Sequence, residues 1–136
     1  TPSPSRDEGA VADIMEAEFA RWGFVAQRKG NNVWAEAWAY DQKKPTILLD
    51  AHLDTVKPNS SWVRNPFEPT IEGDRLYGLG SNDTGGSLVA MMTAFSHLAK
   101  KEQPYNLIML CSAEEEVTGV GGVRAVLPLR IKPIFK

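Results

Sequence analysis

PTILLDAHLD, residues 45–54, places a short apolar and β-branched run directly before a histidine and an aspartate. Residues 46–49 are typical of a buried strand, and His52 and Asp54 lie just beyond its carboxyl end. YNLIMLCSAEEE, residues 105–116, repeats the arrangement with a second apolar run and three glutamates. In an α/β sheet, ligands gather at the carboxyl ends of strands, so the two stretches predict one shared site.

Helical patterns lie on either side of these strands. Ser5 and Glu8 match a capping box, and apolar residues at helical spacing follow until Gly23. Residues 88–98 carry one apolar stripe and predict a second helix. Helices alternating with strands predict an α/β fold with a largely parallel sheet flanked by helices.

The remaining segments are shorter. Residues 24–28 and 33–40 predict two strands joined by a glycine-asparagine turn. Residues 57–75, rich in proline, asparagine and serine, predict an irregular surface loop. Residues 129–135 resemble the beginning of a further strand, and both ends of the chain are expected to be cut from a longer protein.

The composition is that of a soluble globular domain. The chain has 136 residues, of which 43% are hydrophobic and 24% charged, with a net charge of -2. Without a basic surface, nucleic acid is excluded as a partner, and no apolar run approaches the roughly 20 residues that cross a membrane. A single cysteine and the lack of a signal pattern at the N-terminus favour a cytoplasmic location.

His52 and Asp54 are the first candidate metal-site pair. Two residues apart in extended chain, their side chains share a face. A neutral imidazole can bind zinc through one nitrogen while a carboxylate accepts the proton of the other. The alternative for His52 is a hydrogen-bonded histidine at a strand end.

Asp83 lies in GLGSNDTGG, residues 78–86, where glycines flank the predicted start of the second helix. Its carboxylate could be both a metal ligand and a helix cap, and the alternative is a plain N-cap aspartate. The Asp-Thr-Gly triplet also occurs in aspartic proteases, but there it follows an apolar strand. A dinucleotide-binding loop would need glycine at position 83.

Glu114, Glu115 and Glu116 are the third candidate group. Three adjacent carboxylates repel one another unless a cation offsets them, which favours a metal site over a solvated acidic turn. One glutamate can bind the ion while its neighbour acts as the general base on the attacking water. Cys111 and His97 are expected to be packing or surface residues.

At these motifs the chain resembles the M20 family of zinc metallohydrolases, and the resemblance covers essentially its whole length. It implies that His52 is a zinc ligand, that Asp54 orients the site and that Asp83 is the bridging ligand. Laid on the family's Asp-Glu-Glu motif, Glu115 becomes the general base and Glu116 a zinc ligand. The downstream glycines support that alignment.

Two departures from the family pattern limit what the resemblance implies. The lysine that commonly precedes the glycine pair after the bridging aspartate is missing, since Thr84 leads directly to Gly85. Family chains are also much longer and supply a further acidic ligand, a second histidine and a lid and dimerisation domain. Residues 1–136 therefore correspond to the N-terminal part of a zinc-exopeptidase-like catalytic domain, with the lid/dimerisation domain and the C-terminal part absent.

The resemblance implies a zinc-dependent amidohydrolase that removes the acyl group from a small N-acyl amino acid. The subgroup it indicates is acetylornithine deacetylase of arginine biosynthesis, with one or two zinc ions, cobalt as a substitute, and a homodimeric full-length protein. Two alternatives stay open: a dipeptidase or carboxypeptidase of the same family, and an isolated chain that is catalytically inert.

Overall fold

A four-stranded sheet lies at the centre of the chain in a computed structural model that describes residues 1–130. Two further strands form a separate hairpin, and three helices accompany the sheet. The strands are β1 Ala26–Lys29, β2 Asn32–Glu36, β3 Thr46–His52, β4 Thr70–Glu72, β5 Arg75–Tyr77 and β6 Asn106–Ser112. The helices are α1 Gly9–Arg21, α2 Gly86–Leu98 and α3 Val123–Arg130.

The α/β class is confirmed, whereas the sheet is mixed rather than largely parallel. Its order is β1-β2-β6-β3, and only β3 and β6 run parallel among these four strands. β1 and β2 are joined through Gly30 and Asn31, with Gly30 at a φ of 60°. A connection that short can join only antiparallel strands, so this local turn accounts for one of the two antiparallel pairs in the sheet.

β6 is buried at every position and divides the core into two layers. Leu107, Met109 and Cys111 face the layer that contains α1 and α2. Ile108 and Leu110 face the opposite layer, against Trp34 and the α3 residue Val126. Alternation of side chains along a strand buried on both faces explains why this stretch is apolar at successive positions.

Helix α1 ends as the sequence predicts but begins differently. Its C-terminus is confirmed: Gly23 has a φ of 85°, and the Phe24 amide donates to the Phe19 carbonyl, as in a Schellman motif. The predicted capping box is wrong, because the Glu8 N-cap makes no capping hydrogen bond through its side chain. Ser5 and Glu8 bind distant residues instead.

Three other segments can be compared with the predictions. Helix α2 is confirmed, with its apolar stripe against the core. The loop predicted over 57–75 contains β4 and the start of the β4–β5 hairpin, which its polar composition concealed. Helix α3 includes the first two residues of the strand expected over 129–135, and the rest of that prediction lies outside the described residues. No helix in the described part of the chain is long and apolar enough to cross a membrane.

Candidate metal centre

The parallel pair β3 and β6 brings two of the predicted motifs together. In their register, His52 lies opposite Ser112, so both strands end at the same edge of the sheet. The Leu53 amide donates to the Ser112 carbonyl at 2.7 Å and continues the pairing beyond the strands. Asp54 and the acidic segment, residues 113–116, therefore leave the sheet side by side.

The third motif reaches this edge through a tight glycine turn before α2. Gly80 has a φ of 77°, and a Cβ there would lie 2.6 Å from the Thr55 side chain. The Gly85 amide donates to the Gly80 carbonyl at 2.7 Å and closes the turn. Only glycine fits this φ and this close approach together, and the turn places the Asp83 carboxylate beside His52.

His52 has a defined orientation and tautomer. Its Nδ1 lies 2.8 Å from the Asp54 carbonyl, which can only accept, so Nδ1 donates. In the neutral ring, Nε2 then carries the lone pair, and it lies 3.1 Å from Asp83 Oδ1. The His52 side chain is only 10% exposed, whereas that of Asp83 is 75% exposed. A lone pair and a carboxylate oxygen this close need a proton or a metal ion between them.

His52, Asp83 and Glu116 form the candidate metal group. One ligand atom from each residue lies within 4.8 Å of the other two. The set contains one imidazole nitrogen and two carboxylate oxygens, which are donors that zinc accepts in proteins. The structure thus brings together the three residues that the sequence predicts as ligands.

Asp54 is buried and satisfied by hydrogen bonds from the acidic segment. Oδ1 accepts from the Glu115 amide at 3.0 Å, and Oδ2 accepts from the Glu116 amide at 3.1 Å and from Ser5 Oγ at 2.7 Å. The carboxylate also lies 3.5 Å from His52 Nδ1. Asp54 therefore contacts His52 through its carbonyl and holds the glutamates through its side chain.

The three adjacent glutamates point in different directions. Glu114, at a φ of 54°, turns its carboxylate towards Gly121, whose amide donates to Oε2 at 3.3 Å. A Cβ on Gly119 would lie 1.8 Å from the same oxygen, so the carboxylate fits only against glycine. Glu115 Oε2 lies 3.7 Å from His52 Nε2, and its side chain is 59% exposed.

The electrostatics at this edge reflect the excess of carboxylates. Desolvation and then the neighbouring Asp83 carboxylate raise the pKa of Glu116 above its usual value. Burial lowers the pKa of His52, but the hydrogen bonds to the Asp54 carbonyl and to Asp83 outweigh it and leave that pKa raised. The contributions of Asp83 to both shifts have the direction expected between a carboxylate and its ionisable neighbours.

Two predicted roles are not observed, and two supporting residues were missed. The His52 Nδ1 proton is donated to the Asp54 backbone carbonyl and not to the Asp54 carboxylate. Asp83 does not cap α2, because the N-cap position is Gly85 and no side chain caps the helix. The missed residues are Glu8 and Asn32, which accept hydrogen bonds from the acidic segment. Their local sequence carries no sign of this, since both contacts join residues far apart in the chain.

Comparisons with known proteins identify the family. The model of peptidase family M20/M25/M40 matches residues 48–135, and the chain belongs to this family. It is 34% identical over 132 residues to a succinyl-diaminopimelate desuccinylase from Blochmanniella floridana, covering 93% of this chain and 34% of that protein.

Solved structures of the same family share the fold. An M20 family metallo-carboxypeptidase from Sulfolobus solfataricus is 34% identical with a TM-score of 0.69, over 85% of this chain and 29% of that one. A dinuclear metal-binding peptidase of the M20 family from Bacillus subtilis is 16% identical with a TM-score of 0.60, over 93% of this chain and 34% of that one. The chain spans about a third of the length of the curated relatives it matches.

Proposed function

We propose that this chain is the N-terminal part of the catalytic domain of a zinc-dependent amidohydrolase acting on a small N-acyl amino acid. The observation that carries the proposal is the group of His52, Asp83 and Glu116, whose ligand atoms lie within 4.8 Å of one another. Membership of peptidase family M20/M25/M40 supports hydrolysis of an amide bond.

The donor set suits zinc and leaves coordination positions open. His52 offers Nε2 because Nδ1 is held by the Asp54 carbonyl, and Asp83 and Glu116 each offer a carboxylate oxygen. Zinc bound by these residues would supply a Lewis acid that polarises the scissile carbonyl and makes water a better nucleophile at neutral pH. Asp83 is the ligand proposed to bridge two ions, and cobalt is expected to substitute.

Glu115 is the proposed general base. Its Oε2 lies 3.7 Å from His52 Nε2, and its side chain is 59% exposed, so substrate and water can reach it. The carboxylate would take a proton from the attacking water and later give it to the leaving amine nitrogen. The Asp54 carboxylate accepts a hydrogen bond from the Glu115 amide at 3.0 Å. This contact fixes the backbone position from which the Glu115 side chain extends.

Of the two proposed substrates, the first follows the sequence resemblance and the second follows relatives that the chain matches. We propose N-acetylornithine as the first substrate to test, and N-succinyl-diaminopimelate beside it because the matched curated relatives are desuccinylases. The full-length protein is proposed to be a homodimer, with the remaining ligands and a lid supplied outside this chain.

A peptidase is the second candidate function. The 34% identical solved structure is a metallo-carboxypeptidase, and it supports this alternative as directly as the desuccinylases support the first. Hydrolysis of N-acetylornithine, N-succinyl-diaminopimelate and a dipeptide by the protein that carries this chain would separate the candidates. Turnover of the dipeptide alone would overturn the deacylase proposal.

Zinc content per chain is the first test of the site itself. The purified 136-residue chain should hold zinc after dialysis, and Asp83→Ala should lose it. Asp74→Ala is the matched control, because Asp74 is an exposed aspartate between β4 and β5, away from the metal group. Wild-type chain without tightly held zinc would favour an inert fragment whose site is completed elsewhere, whereas equal loss of zinc in both variants would contradict the ligand assignment.

The role of Glu115 needs a separate variant. Glu115→Gln should abolish turnover in the protein that carries this chain while its zinc content stays unchanged. Loss of zinc in this variant would show that Glu115 is a ligand rather than the base.

A further inference from the structure

The four backbone amides of the acidic segment all donate to side chains. After β6 ends, the amides of successive residues donate to three different parts of the chain. The Ala113 amide donates to Asn32 Oδ1 at 3.0 Å and the Glu114 amide to Glu8 Oε1 at 3.1 Å. Asp54 accepts the next two amides, as described above.

Glu8 is the least expected of these acceptors. It is the N-cap residue of α1, and it is completely buried. Its Oε1 also accepts from the Arg6 amide at 2.7 Å, and its Oε2 accepts from Asn31 Nδ2 at 2.8 Å. All of these donors are neutral N–H groups. A buried carboxylate is costly unless such donors satisfy it, which makes this placement specific rather than incidental.

The contact from Glu8 lies next to the residues of the metal centre. The Glu114 amide immediately precedes Glu115 and Glu116, and the Glu114 backbone has a left-handed φ of 54°. A residue in this region turns the chain sharply, so a small displacement of its amide redirects the side chains that follow. Substitution of a residue that hydrogen-bonds to a metal-ligating segment commonly lowers metal affinity 10- to 100-fold.

We propose that Glu8 is a positioning residue of the metal centre: by accepting the Glu114 amide it sets the directions of Glu115 and Glu116. This inference rests on the proposed function. Glu8 touches neither metal nor substrate, and it acts through the backbone. The side-chain length that brings an acceptor oxygen to the Glu114 amide is the property required at position 8, and the negative charge is not.

Two substitutions separate reach from charge. Glu8→Asp keeps the charge but withdraws the acceptor by one methylene from the Glu114 amide. Glu8→Gln keeps the reach and loses the charge, and the Asn31 amide can turn to accept from the new amide group. Zn²⁺ and Co²⁺ affinity of the chain, measured by competition with a chromophoric chelator, should fall 10- to 100-fold in Glu8→Asp and stay within about threefold in Glu8→Gln.

Met15→Ala is the matched control for general destabilisation. Met15 is a buried residue of the same helix, at 6% exposure, and it makes its contacts in the core away from the acidic segment. It should lower stability without changing metal affinity. The visible spectrum of the Co²⁺-loaded chain, which reports ligand geometry, should change in Glu8→Asp and not in Met15→Ala.

Hydrogen exchange of the metal-free chain tests the same contact without metal. The amides of 114–116 should exchange faster in Glu8→Asp than in wild type, Glu8→Gln or Met15→Ala. Wild-type affinity and exchange in Glu8→Asp, or the reverse order of the Asp and Gln variants, would overturn the inference. If the wild-type chain binds neither ion, the isolated chain does not complete the proposed metal centre, and the exchange rates still decide whether Glu8 positions the segment.

Discussion

Asp54→Asn is the substitution that best tests how the acidic segment is held. In the folded chain the Asp54 carboxylate accepts from the Glu115 amide, the Glu116 amide and Ser5 Oγ, and its side chain has no exposed area. Asparagine has nearly the same shape but only one acceptor oxygen. Whichever way its amide faces, one of the two backbone amides meets an N–H group instead of an oxygen.

The magnitude follows from these contacts. A hydrogen bond to a charged group contributes about 1.5–3 kcal/mol, and a buried donor left without a partner costs a similar amount. Removing the charge relieves some repulsion from Asp83 and Glu115, but their side chains are 75% and 59% exposed, so this relief is only about 1 kcal/mol. Subtracting this relief from the loss of one charged hydrogen bond, we expect the free energy of unfolding to fall by about 0.5–2 kcal/mol in Asp54→Asn.

Urea unfolding of the chain in the presence of a chelator measures this difference without a contribution from bound metal. Asp74→Asn, on the exposed β4–β5 turn, should stay within about 0.5 kcal/mol of wild type. The Glu115 and Glu116 amides should also lose protection from hydrogen exchange in Asp54→Asn alone. Unchanged stability together with unchanged protection of both amides would refute the assignment of Asp54 as their acceptor.

Other predictions concern the buried Cys111 thiol, the glycines that contact the Glu114 carboxylate, and the stabilisation of the fold by bound metal. Burial raises the pKa of Cys111 to about 12, so below that pH the thiol stays neutral. Because the thiolate is the reactive form, reaction of Cys111 with a disulfide reagent at pH 8 should be about a thousandfold slower in the folded chain than in the unfolded chain. Gly119→Ala should cost about 1–3 kcal/mol in urea unfolding, because its Cβ would lie 1.8 Å from a Glu114 oxygen, whereas Gly78→Ala meets nothing within 4 Å and should be neutral. Zn²⁺ at 100 times its Kd should raise the free energy of unfolding by about 2.7 kcal/mol, and equal stabilisation of Asp83→Ala would contradict the site.

The positions of the candidate metal ligands could be predicted from the sequence. Apolar runs before His52 and before Glu114 predict strands, and strands that pair in parallel bring their carboxyl ends to one edge. The register of β3 and β6 confirms this, with His52 opposite Ser112. Asp83 could be placed there because its glycines indicate a turn at a helix start.

The orientation of those side chains could not be predicted. Ser5 and Glu8 match a capping box, yet Ser5 donates to a residue 49 positions away and Glu8 accepts from one 106 positions away. Long-range partners that satisfy buried groups outweigh the modest gain of a local cap. In the same way, adjacent glutamates look equivalent in sequence, and only the glycines that receive Glu114 distinguish it from its neighbours.

The backbone of 113–116 lies between the candidate metal ligands and the residues that hold the segment in place. On one side the Glu115 and Glu116 side chains face His52, and on the other the amides face Asn32, Glu8 and Asp54. The supporting groups must be acceptors, because every group that the segment offers on that side is an N–H donor. A carboxylate can accept from two neighbouring amides at once, one at each oxygen, which an asparagine or serine cannot do. At Asp54 this requirement explains why an acidic residue lies beneath a segment that is already acidic.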